Sequence, residues 1–83
     1  MLPKIINAIP LSNYRIEVLF DNAEKKVFSV LPYLKYPVYK SLYEIKFFNN
    51  VVVKYGTLVW GEEDLIDFDL YTIYHEGQIV ELQ

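Results

Sequence analysis

The sequence predicts an α+β domain in which a small antiparallel sheet, made of two β-hairpins plus an N-terminal strand, packs against one or two short helices. Three observations carry this prediction. Apolar and polar residues alternate over residues 13–20, which is typical of a half-buried strand. Gly56 separates two β-branched runs and so indicates a hairpin turn. Between these strand signals, the apolar residues after Pro37 recur with a helical period.

Size and composition favour one domain spanning residues 1–83. The chain has 83 residues, fewer than the usual domain of about 100–150, so no linker is expected. It is 53% hydrophobic and 17% aromatic, whereas disordered chains are poor in aromatic residues. There is no Cys, which excludes disulfides, thiolate metal sites and a cysteine nucleophile and is consistent with a reducing compartment.

The sequence also lacks the apolar segments that direct a chain to a membrane. Residues 1–14 contain Pro3 and Lys4 and have no uninterrupted apolar stretch with a small-residue cleavage site, so no secretory signal is expected. No apolar run approaches the roughly 18 residues that a membrane helix requires. We therefore expect a soluble, cytoplasmic protein without a membrane partner.

The first part of the chain predicts three strands. Residues 4–9 are β-branched and almost uncharged, so an uncovered edge there favours strand-to-strand dimerisation. In residues 13–20 the positions on one face are all apolar or aromatic: Tyr14, Ile16, Val18 and Phe20. Asp21 and Asn22 tolerate left-handed backbone angles and therefore predict a hairpin turn into residues 26–30.

The middle of the chain predicts a turn, one helix and a second hairpin. Pro32 and Pro37 permit only a turn or a short 3₁₀ segment between them. A narrow apolar stripe then predicts a helix that ends near residues 49–50, where Asn readily takes the left-handed cap. The stripe consists of Val38, Leu42 and Ile45, with Phe48 at its margin. Residues 51–55 and 57–61 form the two strands of the second hairpin.

The last part of the chain predicts one or two helical turns. Leu65, Phe68 and Tyr71 recur every three residues, which suits a short helix. The tail from His75 onwards fits either a last short strand or a frayed end.

Five acidic residues between Glu62 and Asp69 raise the question of a metal or catalytic site. Hard cations are bound by oxygens that converge on one point, and Asp64, Asp67 and Asp69 lie within six residues. The pattern of a calcium-binding loop is missing, however, and acids near a helix start commonly cap it. We favour capping by Asp64 or Asp67, and keep a metal-binding or catalytic cluster as the alternative.

Aromatic residues are the candidate interaction sites. Tyr36, Tyr39 and Tyr43 alternate with lysines, and tyrosine is enriched in protein interfaces. Trp60 fits two roles. It either closes one end of the core, with its indole N–H bonded to a carbonyl or carboxylate, or anchors a partner from an exposed position.

Enzymatic and nucleic-acid functions have little support. His75 is the only histidine, no nucleophile or phosphate-loop motif is present, and Glu62 and Glu63 are adjacent and so point apart on an extended loop. The net charge is −3 and Arg15 is the only arginine, so direct nucleic-acid binding is not expected.

Several short motifs resemble those of the bacterial family called domain of unknown function 2442. They are P-L-x-x-Y-x-I-x-V-x-F-D at 10–21, W-G-x-x-D-L at 60–65 and D-L-Y at 69–71, and the resemblance covers residues 5–75. Asn22 replaces the usual Gly of the first turn, and Gly61 to Glu63 replace the usual residues after the Trp. The resemblance implies a small α+β domain without established catalytic residues. It also implies an antitoxin-like role, because members often occur beside a partner from another family.

We therefore expect a noncatalytic protein-interaction or regulatory module without a cofactor, which associates with a protein partner or forms a homodimer. The expected contacts are the tyrosines at 36, 39 and 43 and the Trp60 loop. A small metal-binding or catalytic protein that uses Asp64, Asp67 and Asp69 is the alternative.

Overall fold

The computed structural model describes residues 1–80. These residues form seven β-strands: β1 (Ile5–Pro10), β2 (Arg15–Phe20), β3 (Lys25–Ser29), β4 (Val52–Lys54), β5 (Thr57–Trp60), β6 (Ile66–Asp67) and β7 (Gln78–Ile79). They also form two α-helices, α1 (Ile45–Phe48) and α2 (Leu70–Glu76). Four 3₁₀ segments complete the described part of the chain: Ser12–Tyr14, Leu31–Tyr33, Pro37–Tyr43 and Glu62–Asp64.

The strands form two antiparallel sheets, which confirms the α+β class. The first sheet has the order β1–β2–β3–β7 and the second the order β4–β5–β6. The predicted strands are thus divided between two sheets. The sheets meet where the N–H of Ile5 donates to the carbonyl of Gly56 at 2.9 Å, next to an irregularity in β1 between Ile5 and Asn7. A bulge bends a strand, so β1 reaches the second hairpin at this corner.

The first hairpin has the predicted strands but a different turn. Its inner face is buried as expected at Ile16, Val18 and Phe20. The left-handed residue is Ala23, with φ 75°, and not Asp21 or Asn22. Asn22 acts through its side chain, because its Oδ1 accepts a hydrogen bond from the N–H of Glu24 at 3.0 Å. Tyr14 precedes β2 and belongs to the Ser12–Tyr14 turn.

The prediction of a single helix after Pro37 is wrong. Pro37–Tyr43 is a 3₁₀ helix, the backbone breaks at Glu44, which has φ −73° and ψ 112°, and α1 adds four residues. A 3₁₀ helix has three residues per turn, so Val38 and Leu42, which are four residues apart, do not share a face. Leu42 is buried, whereas Val38 is exposed. In α1 Phe48 is buried and Ile45 is exposed.

The second hairpin is confirmed. Val52 pairs with Val59 and Lys54 pairs with Thr57 across a two-residue turn. Both turn residues are left-handed, with φ 57° at Tyr55 and 76° at Gly56. Positive φ at both positions is the property of the type I′ turns that fit the twist of a hairpin.

The final helix begins later than predicted. Ile66 pairs with Trp60 as part of β6, and α2 starts at Leu70. The three residues spaced three apart therefore do not form one face of a helix: Phe68 is buried, but Leu65 and Tyr71 are exposed. The tail forms the short strand β7, and residues 81–83, the rest of the predicted tail element, lie outside the described residues.

One hydrophobic cluster joins both sheets and α2. The cluster contains Ile16 and Phe28 from the first sheet, Leu58 and Trp60 from the second, and Ile73 from α2. No helix within residues 1–80 has both the length and the apolar character needed to cross a membrane.

Candidate functional site

The 31–45 segment, which consists of residues 31 to 45, carries the three candidate tyrosines. Tyr36 lies in the link between two 3₁₀ segments, and Tyr39 and Tyr43 lie in Pro37–Tyr43. Proline at residues 32 and 37 fixes φ and favours short turns here over a continuous helix. The exposed fraction is 47% for Tyr36 and 54% for Tyr43, whereas Tyr39 is half-buried. Two of the three predicted tyrosines therefore present large aromatic surface to solvent.

Tyr39 attaches the segment to the core. Its ring stacks on that of Phe68, with centroids 4.6 Å apart and an interplanar angle of 15°. Burial raises the pKa of the Tyr39 hydroxyl, and the carboxylates of Asp67 and Asp69 add to this shift. The ring therefore serves as a neutral, half-buried support for its exposed neighbours.

Tyr33 makes a second attachment. Its ring packs edge-to-face on Phe68 with centroids 5.3 Å apart, and its hydroxyl donates a hydrogen bond to Glu76. Burial, followed by this hydrogen bond, raises the pKa of Tyr33 to about 12. The uncharged hydroxyl thus persists well above neutral pH and keeps the start of the segment against the end of α2.

Tyr14 holds the far end of the segment. Its hydroxyl donates to the carbonyl of Tyr43 at 2.7 Å, and its ring meets the Tyr43 ring edge-on at 6.1 Å between centroids. The hydroxyls of Tyr36 and Tyr43 themselves make no hydrogen bond within residues 1–80. Both exposed phenol groups therefore remain available on a backbone that is fixed at its ends.

Exposed apolar residues are concentrated in the same segment. Of the thirteen large apolar residues exposed within residues 1–80, five fall between residues 31 and 45: Leu31, Tyr36, Val38, Tyr43 and Ile45. Sequence reasoning missed Val38 and Ile45 as surface residues because it placed both on the inner face of a helix. The sequence carried no clear signal of this departure, because a proline such as Pro37 in the first turn suits an α-helix as well as a 3₁₀ helix.

A surface cavity of about 390 Å³ lies within the 31–45 segment. The residues around it are Leu34, Lys35, Tyr36, Pro37, Lys40 and Tyr43. We call it the lysine–tyrosine cavity. Both of its charged side chains are lysines, and the only ion pair within residues 1–80 joins Lys54 to Asp64. The charge of the cavity is therefore positive, and neither lysine forms an ion pair among the described residues.

Trp60 does not belong to this surface, which corrects its prediction as an interaction residue. Its side chain is completely buried, and Nε1 donates to the carbonyl of Phe48 at 2.9 Å. The indole also stacks with the Phe48 ring, with centroids 6.2 Å apart. Burial of the indole with its N–H hydrogen-bonded stabilises the core. Trp60 therefore has the first of its two predicted roles, as a residue of the core.

Of the three aspartates of the acidic stretch, Asp64 and Asp69 bind different partners and Asp67 is exposed in β6. Asp64 accepts hydrogen bonds from Lys54 Nζ at 2.8 Å and Tyr55 Oη at 3.1 Å, and the bond from Lys54 lowers its pKa. Asp69 caps α2, because its carboxylate accepts from the N–H of Thr72 at 3.2 Å. The helix cap is therefore Asp69 and not Asp64 or Asp67. No group of three or more potential metal ligands occurs among residues 1–80.

A buried lysine in the first sheet was not foreseen. Lys26 is only 7% exposed, and its Nζ donates to the carbonyl of Tyr74 at 2.5 Å while lying 3.7 Å from the centre of the Tyr74 ring. Alternation along β3 places it on the same face as Phe28, which was the available signal. His75, by contrast, is exposed.

Comparison with known proteins assigns the chain to a family. No curated protein and no solved structure gives a significant match. The sequence pattern of one family, described as "Protein of unknown function (DUF2442)", matches residues 5–78. This match spans both sheets and both helices. The chain therefore belongs to the family of proteins of unknown function designated DUF2442.

Proposed function

We propose that this protein is a noncatalytic module of the cytoplasm that binds another protein chain, either a partner protein or a second copy, through the 31–45 segment. One observation carries the proposal. Tyr36, Val38, Tyr43 and Ile45 are exposed on a segment whose buried residues fix it to the core. Tyrosine supplies a large contact area at a low entropy cost, and concentrated apolar exposure is characteristic of interaction surfaces.

A matched pair of double variants tests the proposal. Y36S/Y43S removes the two exposed tyrosine rings of the 31–45 segment, and Y55S/Y71S removes two tyrosines elsewhere that are even more exposed. Each tagged protein is expressed in cells of the organism from which the sequence comes. The proteins that co-purify with it are identified, and its mass in solution is measured.

We expect the wild-type protein and Y55S/Y71S to retain a partner or a dimer mass, and Y36S/Y43S to lose it. The proposal is wrong if the wild-type protein forms no complex of either kind, or if both double variants lose it equally.

The family resemblance adds a specific form of this proposal, in which the protein acts as an antitoxin-like regulator that binds the product of a neighbouring gene. Co-expression of the two gene products tests this form. A complex that depends on Tyr36 and Tyr43 supports it. If co-expression gives no complex, the antitoxin-like role is wrong. Binding of other partners is then tested by the two double variants described above.

A further inference from the structure

The charge of the lysine–tyrosine cavity indicates the chemistry of its ligand. Lys35 and Lys40 are exposed, and no carboxylate lines the cavity. Two other surface cavities each combine both signs of charge: one has Arg15 with Glu76, and the other Glu24 with Lys25. A positive cavity with apolar and aromatic walls is suited to an acidic segment that also presents an apolar side chain.

The acidic loop of this same chain, residues 61–67, has that chemistry. Glu62, Glu63 and Asp67 are exposed, and Leu65 between them is 70% exposed. Asp64 is engaged with Lys54 and is not part of the free charge. The loop therefore offers three carboxylates around one solvent-exposed leucine, which complements two lysines around two exposed tyrosine rings.

The elements that carry the cavity and the acidic loop are connected by two contacts in one copy. Tyr39, from the cavity's own 3₁₀ helix, stacks on Phe68, the residue that follows the loop. At the other end of the loop, a Cβ added to Gly61 would lie 3.4 Å from the ring of Phe47 in α1. A positive and a negative patch on connected elements become self-complementary when a two-fold rotation places each patch opposite its counterpart.

We infer that two copies associate about a two-fold axis, with the acidic loop of each copy seated in the lysine–tyrosine cavity of the other. Leu65 packs between the rings of Tyr36 and Tyr43, and Glu62 and Glu63 face the two lysines of the cavity. This inference rests on the proposed function and specifies its partner as a second copy. A protein partner is favoured over single-stranded nucleic acid for two reasons. The chain carries a net charge of −3, and the two lysines of the cavity can neutralise few phosphates.

Charge exchange between the two patches tests this arrangement by sedimentation at concentrations from micromolar to millimolar. K35E/K40E makes the cavity negative, and E62K/E63K makes the loop positive. Each variant alone is expected to dimerise at least about tenfold more weakly than wild type, because like charges then oppose each other. K4E/K25E has the same net charge as K35E/K40E but alters other surfaces, and it is expected to dimerise like wild type.

Mixing K35E/K40E with E62K/E63K restores both contacts in a heterodimer, with an affinity within about threefold of the wild-type dimer. A second measurement needs no variant. On dilution of the wild-type protein, amide resonances of residues 35–43 and 61–67 are expected to shift together.

The inference is overturned if wild type is a monomer at millimolar concentration, if both variants dimerise normally, or if the mixture does not associate. Shifts confined to other residues on dilution also overturn it, and so does binding of an oligothymidine to the wild-type cavity in preference to self-association. A monomeric wild type that captures another protein through Tyr36 and Tyr43 rejects only this inference, and the proposed function stands.

Discussion

Individual side chains of this protein connect elements that are far apart in the sequence. Lys26 extends from β3 to the last turn of α2, where helix carbonyls lack partners within the helix. Its positive charge also lies at the negative end of the helix dipole and over an aromatic face. A buried lysine is costly without such partners, so the geometry explains how the charge is accommodated inside.

Replacing Lys26 with Met removes the donor and keeps most of the apolar stem. We expect the free energy of unfolding to fall by about 1–2 kcal/mol, since the Tyr74 carbonyl loses its partner. Urea denaturation followed by circular dichroism measures the change. Lys25→Met, one residue away on the opposite face, is the control and should stay within about 0.5 kcal/mol of wild type. Equal effects of the two substitutions would contradict the assigned role of Lys26.

Glu24 makes stability depend on pH. Its carboxylate accepts hydrogen bonds from Tyr74 Oη at 2.6 Å and from the Asn22 amide, and the bond from Tyr74 is the largest cause of its lowered pKa. A lowered carboxyl pKa contributes stability above its ordinary value of 4.5, and this contribution is lost as the pH falls through the lower pKa of the folded state.

We therefore expect Glu24→Gln to be less stable than wild type at neutral pH, with the difference shrinking as the pH drops below about 4.5. Denaturant titrations at several pH values measure this difference. Glu62→Gln, which changes an exposed carboxylate of the acidic loop, is the control and should stay within about 0.5 kcal/mol of wild type at neutral pH. If the difference in free energy of unfolding between Glu24→Gln and wild type does not change with pH, ionisation of Glu24 does not contribute to stability.

At the scale of elements, local turn chemistry determines the hairpins, whereas the 31–45 segment depends on its surroundings. The second hairpin follows from Gly56, whose positive φ fits the turn. The 31–45 segment has two prolines, a 3₁₀ helix and a break at Glu44, and it is held by ring contacts with Phe68 and by Tyr14. The two prolines favour its short turns, but no local preference fixes its position on the core, so that position is determined by tertiary contacts.

Gly56 and Tyr55 provide a paired test of the second hairpin. Gly56→Ala is expected to lower the free energy of unfolding by about 1–2 kcal/mol, because the residue has φ 76°. Its new Cβ would also lie 2.9 Å from the Lys4 side chain. Tyr55→Asn should remain within about 0.5 kcal/mol of wild type, since asparagine readily adopts positive φ. Thermal or urea unfolding measures both, and a tolerated Gly56→Ala would argue against the turn type.

At the scale of the whole molecule, the two sheets share one hydrophobic cluster. Trp60 from the second sheet lies in the same cluster as Phe28 from the first, and Phe68 contacts both rings. Since neither sheet has a separate core, the loss of one exposes the buried face of the other. Cooperative unfolding follows from this arrangement.

We therefore expect a single unfolding transition. Trp60 fluorescence reports on the second sheet, and far-ultraviolet circular dichroism reports on all strands, so the two signals should change at the same denaturant concentration. The buried indole should emit at short wavelength in the folded state and shift to longer wavelength on unfolding. An earlier fluorescence transition would mean that the second sheet unfolds by itself.

The sequence alone determined the α+β class, the first hairpin strands, the second hairpin and the family, because alternation, turn residues and motif order are local properties. It also placed Tyr36 and Tyr43 in a tyrosine-rich segment. Only the tertiary structure decided that Trp60 is buried, that Val38 and Ile45 are exposed, and that the strands divide into two sheets. Each of these outcomes depends on packing between residues distant in the chain. α-Helical spacing also predicted the wrong buried residues after Pro37, because a 3₁₀ helix stands where an α-helix was expected.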